Sequence, residues 1–358
     1  MIGAIQLRVG GQWLIVDPHT FGDLTFSSSW PGGCKEASWS SSTTYEARHP
    51  ALVRGALVEV VYGGVRLWVG DLQEPVWDGE NASFTASGLV RRGERYVAFD
   101  SLLETTDRAD TAIDQANLRG TGLGWTRAAS IPTTSLGTGT TDPVNSVSAL
   151  LDAHAEALGQ RWAVDASGTV YMAADPTTPS YYVTPGAADL GIADDNYASH
   201  VILRHRTTTG SPYRSAIYPS LASAASAYEV KYGHSEWTRD VTDLGPMSNA
   251  AADALAQKVY ERSKARPGWT NGLEVTANEL LTAGGAPADL AIVAATGAGQ
   301  LIRLNGVPDE VALTPYTDVV IGEAAWAVGS ETVNLNPVDL AARTPEDVFT
   351  ELLEGRAA

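Results

Sequence analysis

Apolar and polar residues alternate with a period of two through much of the first hundred positions. That spacing turns one face of a strand to a core and the other to water. Ala4-Ile5-Gln6-Leu7-Arg8-Val9 alternates in this way, and Gly10-Gly11 leads into Trp13-Leu14-Ile15-Val16. The clearest hairpin joins Leu57-Val58-Glu59-Val60-Val61-Tyr62 to Val65-Arg66-Leu67-Trp68-Val69-Gly70. Between them, Gly63-Gly64 supplies the positive φ angles that a tight primed turn demands. A further strand is expected from Asn81 to Leu89, and short strands at this spacing predict a small barrel or sandwich over residues 1–100.

The period changes near residue 100. Ala109, Ala112, Ile113 and Ala116 share a helical face within 107–118, with Gly120 placed to end it. Residues 131–142, rich in Thr, Ser and Gly, read as a surface loop. Val147, Leu150, Leu151, His154 and Leu158 predict a second helix over 147–158, capped by Ser146 and ended by Gly159. Arg161 to Val164 and Thr169 to Met172 then form a hairpin around Asp165-Ala166-Ser167-Gly168. Residues 101–197 are therefore expected to be a mixed α/β domain.

Strands return over 198–340: 199–205, 214–218, 228–232, 272–276, 301–304, 318–322 and 331–335. One helix interrupts them at 250–264, carrying Ala251, Leu255, Val259 and Tyr260 behind a Ser248 cap, with Pro267-Gly268 as its stop. Thr344-Pro345-Glu346-Asp347 opens a short helix in a tail spanning 341–358. The expected class is mixed α+β, dominated by strands.

Composition narrows what such a chain does. At 358 residues it exceeds the roughly 250–300 at which single cores stop growing, so several domains are expected. Its 44% hydrophobic and 18% charged residues are those of a folded protein. The 24 basic and 42 acidic residues leave a net charge of −18, which repels phosphate backbones. That charge serves solubility, or lines a passage through which DNA slides without sticking. Cys34 is the single cysteine, which excludes an internal disulfide framework and a cysteine metal cluster. Residues Met1 to Arg8 show no secretory signal, and no apolar run approaches the roughly 18 residues that span a bilayer.

No catalytic signature is present: no phosphate-loop GKS/T pattern, no H-E-x-x-H, no G-x-S-x-G and no C-x-x-C. Gly120-Thr121-Gly122-Leu123-Gly124 follows a helix, whereas a dinucleotide loop follows a strand, so it reads as a helix stop and turn. His19, His49, His154, His200, His205 and His234 show no metal-binding spacing. His200 and His205 fall on opposite faces of one strand, and His154 reads as a hydrogen-bonded core residue. Asp194-Asp195-Asn196 offers calcium ligands but lacks the further oxygens and closing Glu of an EF-type loop. Ten scattered tryptophans suit core packing and subunit contacts. No catalytic, cofactor-binding or metal-binding residue is assigned, and no cofactor is expected.

Phe26-Ser27-Ser28-Ser29-Trp30-Pro31-Gly32-Gly33-Cys34-Lys35-Glu36-Ala37-Ser38-Trp39 is the most distinctive stretch, with Pro31-Gly32 suited to a type II turn. It resembles a segment near the start of siphophage minor tail proteins of the baseplate-hub (tail tip hub) family. Residues 55–72, 148–158, 162–171, 320–322 and 332–337 follow that family's pattern in order. The resemblance implies two related β-barrel domains, at 1–100 and 198–340, with an inserted α/β domain and a short C-terminal helix. It implies a non-enzymatic homotrimer in the virion's tail tip, made in the host cytoplasm and without membrane insertion. Three copies would form a ring joining the tail tube and distal tail protein to tape-measure and other tip proteins, with DNA only in transit. Any lytic or receptor-binding activity is expected on other proteins. The competing readings are a host-surface carbohydrate-binding module using exposed tryptophans, the hexameric distal tail protein, and a peptidoglycan hydrolase. Loss of 344–358 is expected to weaken assembly while the barrels stay folded.

Overall fold

The structure, a computed structural model, describes residues 5–14, 21–44, 46–137, 146–184, 190–191, 198–208, 213–263, 268–269, 273–306, 314–338, 345–346, 348–350 and 352. It is α+β with strands predominating, 43% strand against 21% helix. The chain divides into two compact units: 1–187 with 272–303 and 318–338, and 188–271 with 304–317 and 339–358.

In the first unit an antiparallel path of strands starts at Gln12–Leu14 and Ile5–Val9, and continues through Leu57–Tyr62, Val65–Leu72, Asn81–Gly88, Gly32–Ser41 and Phe21–Ser29. The path does not stop at residue 100. Tyr316–Ala327 pairs antiparallel with Phe21–Ser29, setting Ala324 opposite Ser28, and Thr332–Pro337 and Leu273–Thr276 follow. The expectation of one barrel per end of the chain is corrected here. Among the described residues no sheet closes into a barrel, and strands assigned to a second barrel extend the first sheet. Local alternation marks which residues form strands, but strand partners some 300 positions apart leave no local trace.

Leu7, Val9, Val58, Val60, Trp68, Phe26 and Phe84 fill the inner face of this sheet. Gly63 and Gly64 take φ +57° and +83° in the expected hairpin turn. A parallel pairing of Val164 with Gly33 attaches the second hairpin, Arg161–Val164 with Thr169–Ala173. Two helices lie beside it, α1 (Ala109–Asn117) and α2 (Val147–Leu158). Ser146 Oγ accepts the Ala149 N–H at 3.1 Å, and Gly159 ends α2 at φ +61°, both as expected. Leu158, expected on the buried face, is exposed.

The second unit contains a four-stranded sheet. His200–Thr207 lies between antiparallel Tyr213–Tyr218 and parallel Glu236–Asp240, with Pro246–Met247 alongside. Residues 228–232, expected as a strand, form part of a short helix, α3 (Ala227–Tyr232). Ser226 Oγ accepts the Glu229 N–H at 3.1 Å and starts that helix, while Glu236–Asp240 takes the sheet edge. The long helix α4 (Asn249–Ser263) is capped by Ser248, whose Oγ accepts from Ala251 N at 3.2 Å. Its buried stripe is Ala252, Leu255, Ala256, Val259 and Tyr260, so Ala252 rather than Ala251 faces the core. Val348 and Phe349 complete that core, with Phe349 6.0 Å from the Trp237 ring. Of the tail expected over 341–358, the described Val348 and Phe349 thus lie in the unit's interior. A last helix, α5 (Leu290–Thr296), belongs to the first unit and was not foreseen; Asp289 Oδ1 caps it through Ala291 N at 3.0 Å. Among the described residues no helix is long and apolar enough to cross a membrane.

Candidate functional site

The Trp-Pro-Gly-Gly-Cys segment turns Phe21–Ser29 into Gly32–Ser41. Gly32 has φ +122°, and the Trp30–Pro31 bond is cis, which the sequence reading did not anticipate. Gly33 meets the second hairpin so closely that a Cβ there would lie 1.9 Å from the Val164 carbonyl oxygen. Trp30 is buried, stacks on Tyr171 at 5.9 Å, and donates its Nε1 proton to Asp175 Oδ1 at 2.9 Å. Gly299 lies beneath its indole, where a Cβ would come within 2.9 Å. Burial pushes the Cys34 thiol up to about 12, which removes it as a nucleophile at neutral pH. The most distinctive motif of the sequence is therefore a packing junction between strands and presents no reactive group.

Other suspected chemistry also resolves into structure. His154 is buried and its Nε2 lies 3.0 Å from the Asp107 carbonyl. Gly120, Gly122 and Gly124 all take positive φ in the turn after α1, where Asn117 Nδ2 donates to the Trp125 carbonyl at 2.9 Å. His49 Nδ1 accepts the Ala51 N–H at 3.2 Å in a local turn. Asp194, Asp195, Asn196 and His19 lie outside the described residues. Among described tryptophans, Trp30, Trp39, Trp68, Trp125 and Trp162 are buried, while Trp13 is exposed with the Arg8 guanidinium 5.5 Å from its ring centre. No platform of exposed indoles is found among them.

The surface offers apolar projections instead. Trp13 sits on the outer strand of the open sheet. Leu102 and Leu103 are 75% and 65% exposed at a loop tip, with Leu103 at φ +61°. Asp100 Oδ1 fixes that tip by accepting from Leu102 N at 2.8 Å and Glu104 N at 3.0 Å. Unpaired sheet edges and held apolar tips are the features through which β-rich chains assemble.

One polar cluster was not legible as a site. The parallel register sets His200 opposite Glu236, and the chain between them carries Glu229 on α3 and His234 in the following loop. Ser199 Oγ donates to the Ser235 carbonyl at 2.7 Å and accepts the Ser235 N–H at 2.9 Å. Its 3.0 Å contact with His200 Nδ1 must then be one in which the ring donates, leaving the Nε2 lone pair free of that bond. His234 Nδ1 lies 2.6 Å from Glu229 Oε1 and its Nε2 lies 3.0 Å from Glu236 Oε1. The bonds to Glu229 and Glu236 hold the His234 pKa above its ordinary value, and the His234 bond holds Glu229 below its own. The two imidazoles stand 5.0 Å apart. As expected, His200 and His205 face opposite ways: His205 turns into the core with Val201 and Leu203, its Nδ1 without a partner among the described residues.

No family model matches the sequence, and no curated protein matches it. Solved structures do match its fold. A tail protein from Neisseria meningitidis MC58 aligns with a TM-score of 0.56 at 15% identity, covering 97% of this chain and 99% of that one. The 43 kDa tail protein of prophage MuSo2 from Shewanella oneidensis gives 0.58 at 12% identity, over 96% and 98%. Prophage tail protein gp18 from Listeria monocytogenes EGD-e gives 0.58 at 10% identity, over 99% of each chain. From end to end, the chain has the fold of these tail proteins.

Proposed function

We propose, from a fold shared end to end with phage tail proteins, that this chain is a structural subunit of a bacteriophage tail tip. The observation that carries this reading is the match to Listeria gp18, which covers 99% of both chains. In this reading three copies form the baseplate-hub ring. The ring joins the tail tube and distal tail protein to the tip, and DNA passes through it. The chain works by assembly and not by catalysis. A net charge of −18 suits a passage that phosphate must traverse without binding. The buried state of most described tryptophans weighs against a glycan-binding platform.

Antibody raised against the purified chain and visualised by gold on intact phage particles tests the assignment. Gold confined to the distal end of the tail is expected. Gold along the tube or on the head would contradict it.

A further inference from the structure

We infer that His200, Glu229 and His234 form a binding site for one divalent transition-metal ion of the zinc type, which fastens α3 and its following loop to the sheet. The inference is independent of the tail assignment. Two imidazoles and one carboxylate are a donor set that zinc accepts, with a water completing four-coordination. The three ligand atoms all lie within 4.8 Å of one another. Ligand atoms around a tetrahedral zinc at ~2.0–2.2 Å bonds stand about 3.3 Å apart, so the widest separation must close by at most about 1.5 Å while the 2.6 Å Glu229–His234 contact opens by about 0.7 Å to admit the ion.

The elements that carry the ligands suit that adjustment. His200 is buried at the start of a central strand, and its ring is held by Ser199, itself bonded to the Ser235 backbone in both directions. A nitrogen oriented by a bond to the opposite ring nitrogen is the usual arrangement of a metal-binding histidine. Glu229 and His234 lie outside the sheet, and His234 is exposed on its loop, so its ring can turn toward His200 and Glu229 without disturbing the core. Glu236 Oε1, 3.0 Å from His234 Nε2, is placed to receive the proton of the ring nitrogen that does not bind the ion. Salt bridges alone would account for His234 between two glutamates, but not for the second imidazole set 5.0 Å from the first.

The full chain, stripped with a chelator and dialysed against micromolar zinc, should retain one zinc per chain by elemental analysis. Cobalt in its place should give the visible absorption bands of a tetrahedral site. His200→Gln and His234→Gln should each weaken zinc binding at least about tenfold. His49→Gln, far from the cluster in sequence, should bind as the parent does. Excess zinc should raise the parent's melting temperature, because ligand bound only by the folded state stabilises by mass action. Should His200→Gln not fold, judged by far-ultraviolet circular dichroism, Glu229→Gln on the short helix carries the same test. Equal zinc retention by parent and ligand variants would show only diffuse binding to acidic surface and would overturn the site. So would a parent that retains none.

Discussion

At Cys34 and Gly33, adjacent residues in one motif, the side chain has been decided by what surrounds it. A Cβ on Gly33 would collide with the Val164 carbonyl, and one on Gly88 would fall 1.7 Å from the Cys34 carbonyl oxygen. The chain passes its neighbours there at backbone distance, which only glycine allows. Cys34 fills the space between, and its thiol is raised to about 12 by burial. A group whose charged form is disfavoured this strongly stays a thiol throughout the neutral range. The folded protein is therefore expected to resist alkylation by iodoacetamide at pH 8, and to react at an ordinary rate once unfolded in denaturant. Rapid modification of the native chain would contradict the burial described. The sequence marked this segment as unusual through its Trp-Pro-Gly-Gly-Cys order, yet a parallel contact with Val164 has no signature in the segment itself. His200 and His234 were unreadable as a pair for the same reason: a strand register brings them together, and their spacing along the chain does not.

Among elements, those with complete local signals were legible. The helix Val147–Leu158 has its apolar stripe, its Ser cap and its terminating Gly within fourteen consecutive positions, and it appears at the bounds expected. The hairpins at 57–72 and 161–173 carry their turns in the same way. Residues 228–232 misled because Tyr, Val and Tyr favour strands, while the Ser226 cap that starts the helix weighs little without its context. The tail misled more seriously. Val348 and Phe349 close the core of the second unit, Arg239 Nη1 bonds Glu346 at 2.9 Å, and the same guanidinium lies 5.5 Å from the Phe349 ring. Phe349→Ala is accordingly expected to destabilise that unit by about 3–5 kcal/mol, the range for emptying a buried aromatic site. Chemical denaturation of parent and variant followed by far-ultraviolet circular dichroism measures it, and a loss below about 1 kcal/mol would show that Phe349 adds little to the core.

For the whole molecule, the sequence was informative about class and family pattern, and less so about how the pieces join. The strand-dominated α+β character follows from period-two alternation and the density of turns. The single open sheet, shared by the first hundred residues and the strands near 320–337, follows from contacts between distant parts of the chain. That sharing explains why the compact units do not run in simple linear order along the chain, and the match to other tail proteins extends over nearly the entire length at only 10–15% identity. Packing of this kind depends on apolar character and volume more than on identity, so the fold persists after the sequence has diverged.

The proposed hub ring is tested by the mass of the purified full chain in solution, with negative-stain images of the same sample. The account predicts a particle of three times the 37.7 kDa chain mass, seen as a three-lobed ring with a central hole. A stable hexamer would indicate a distal tail ring instead. A monomer at every concentration, even with tail tube present, would contradict the account.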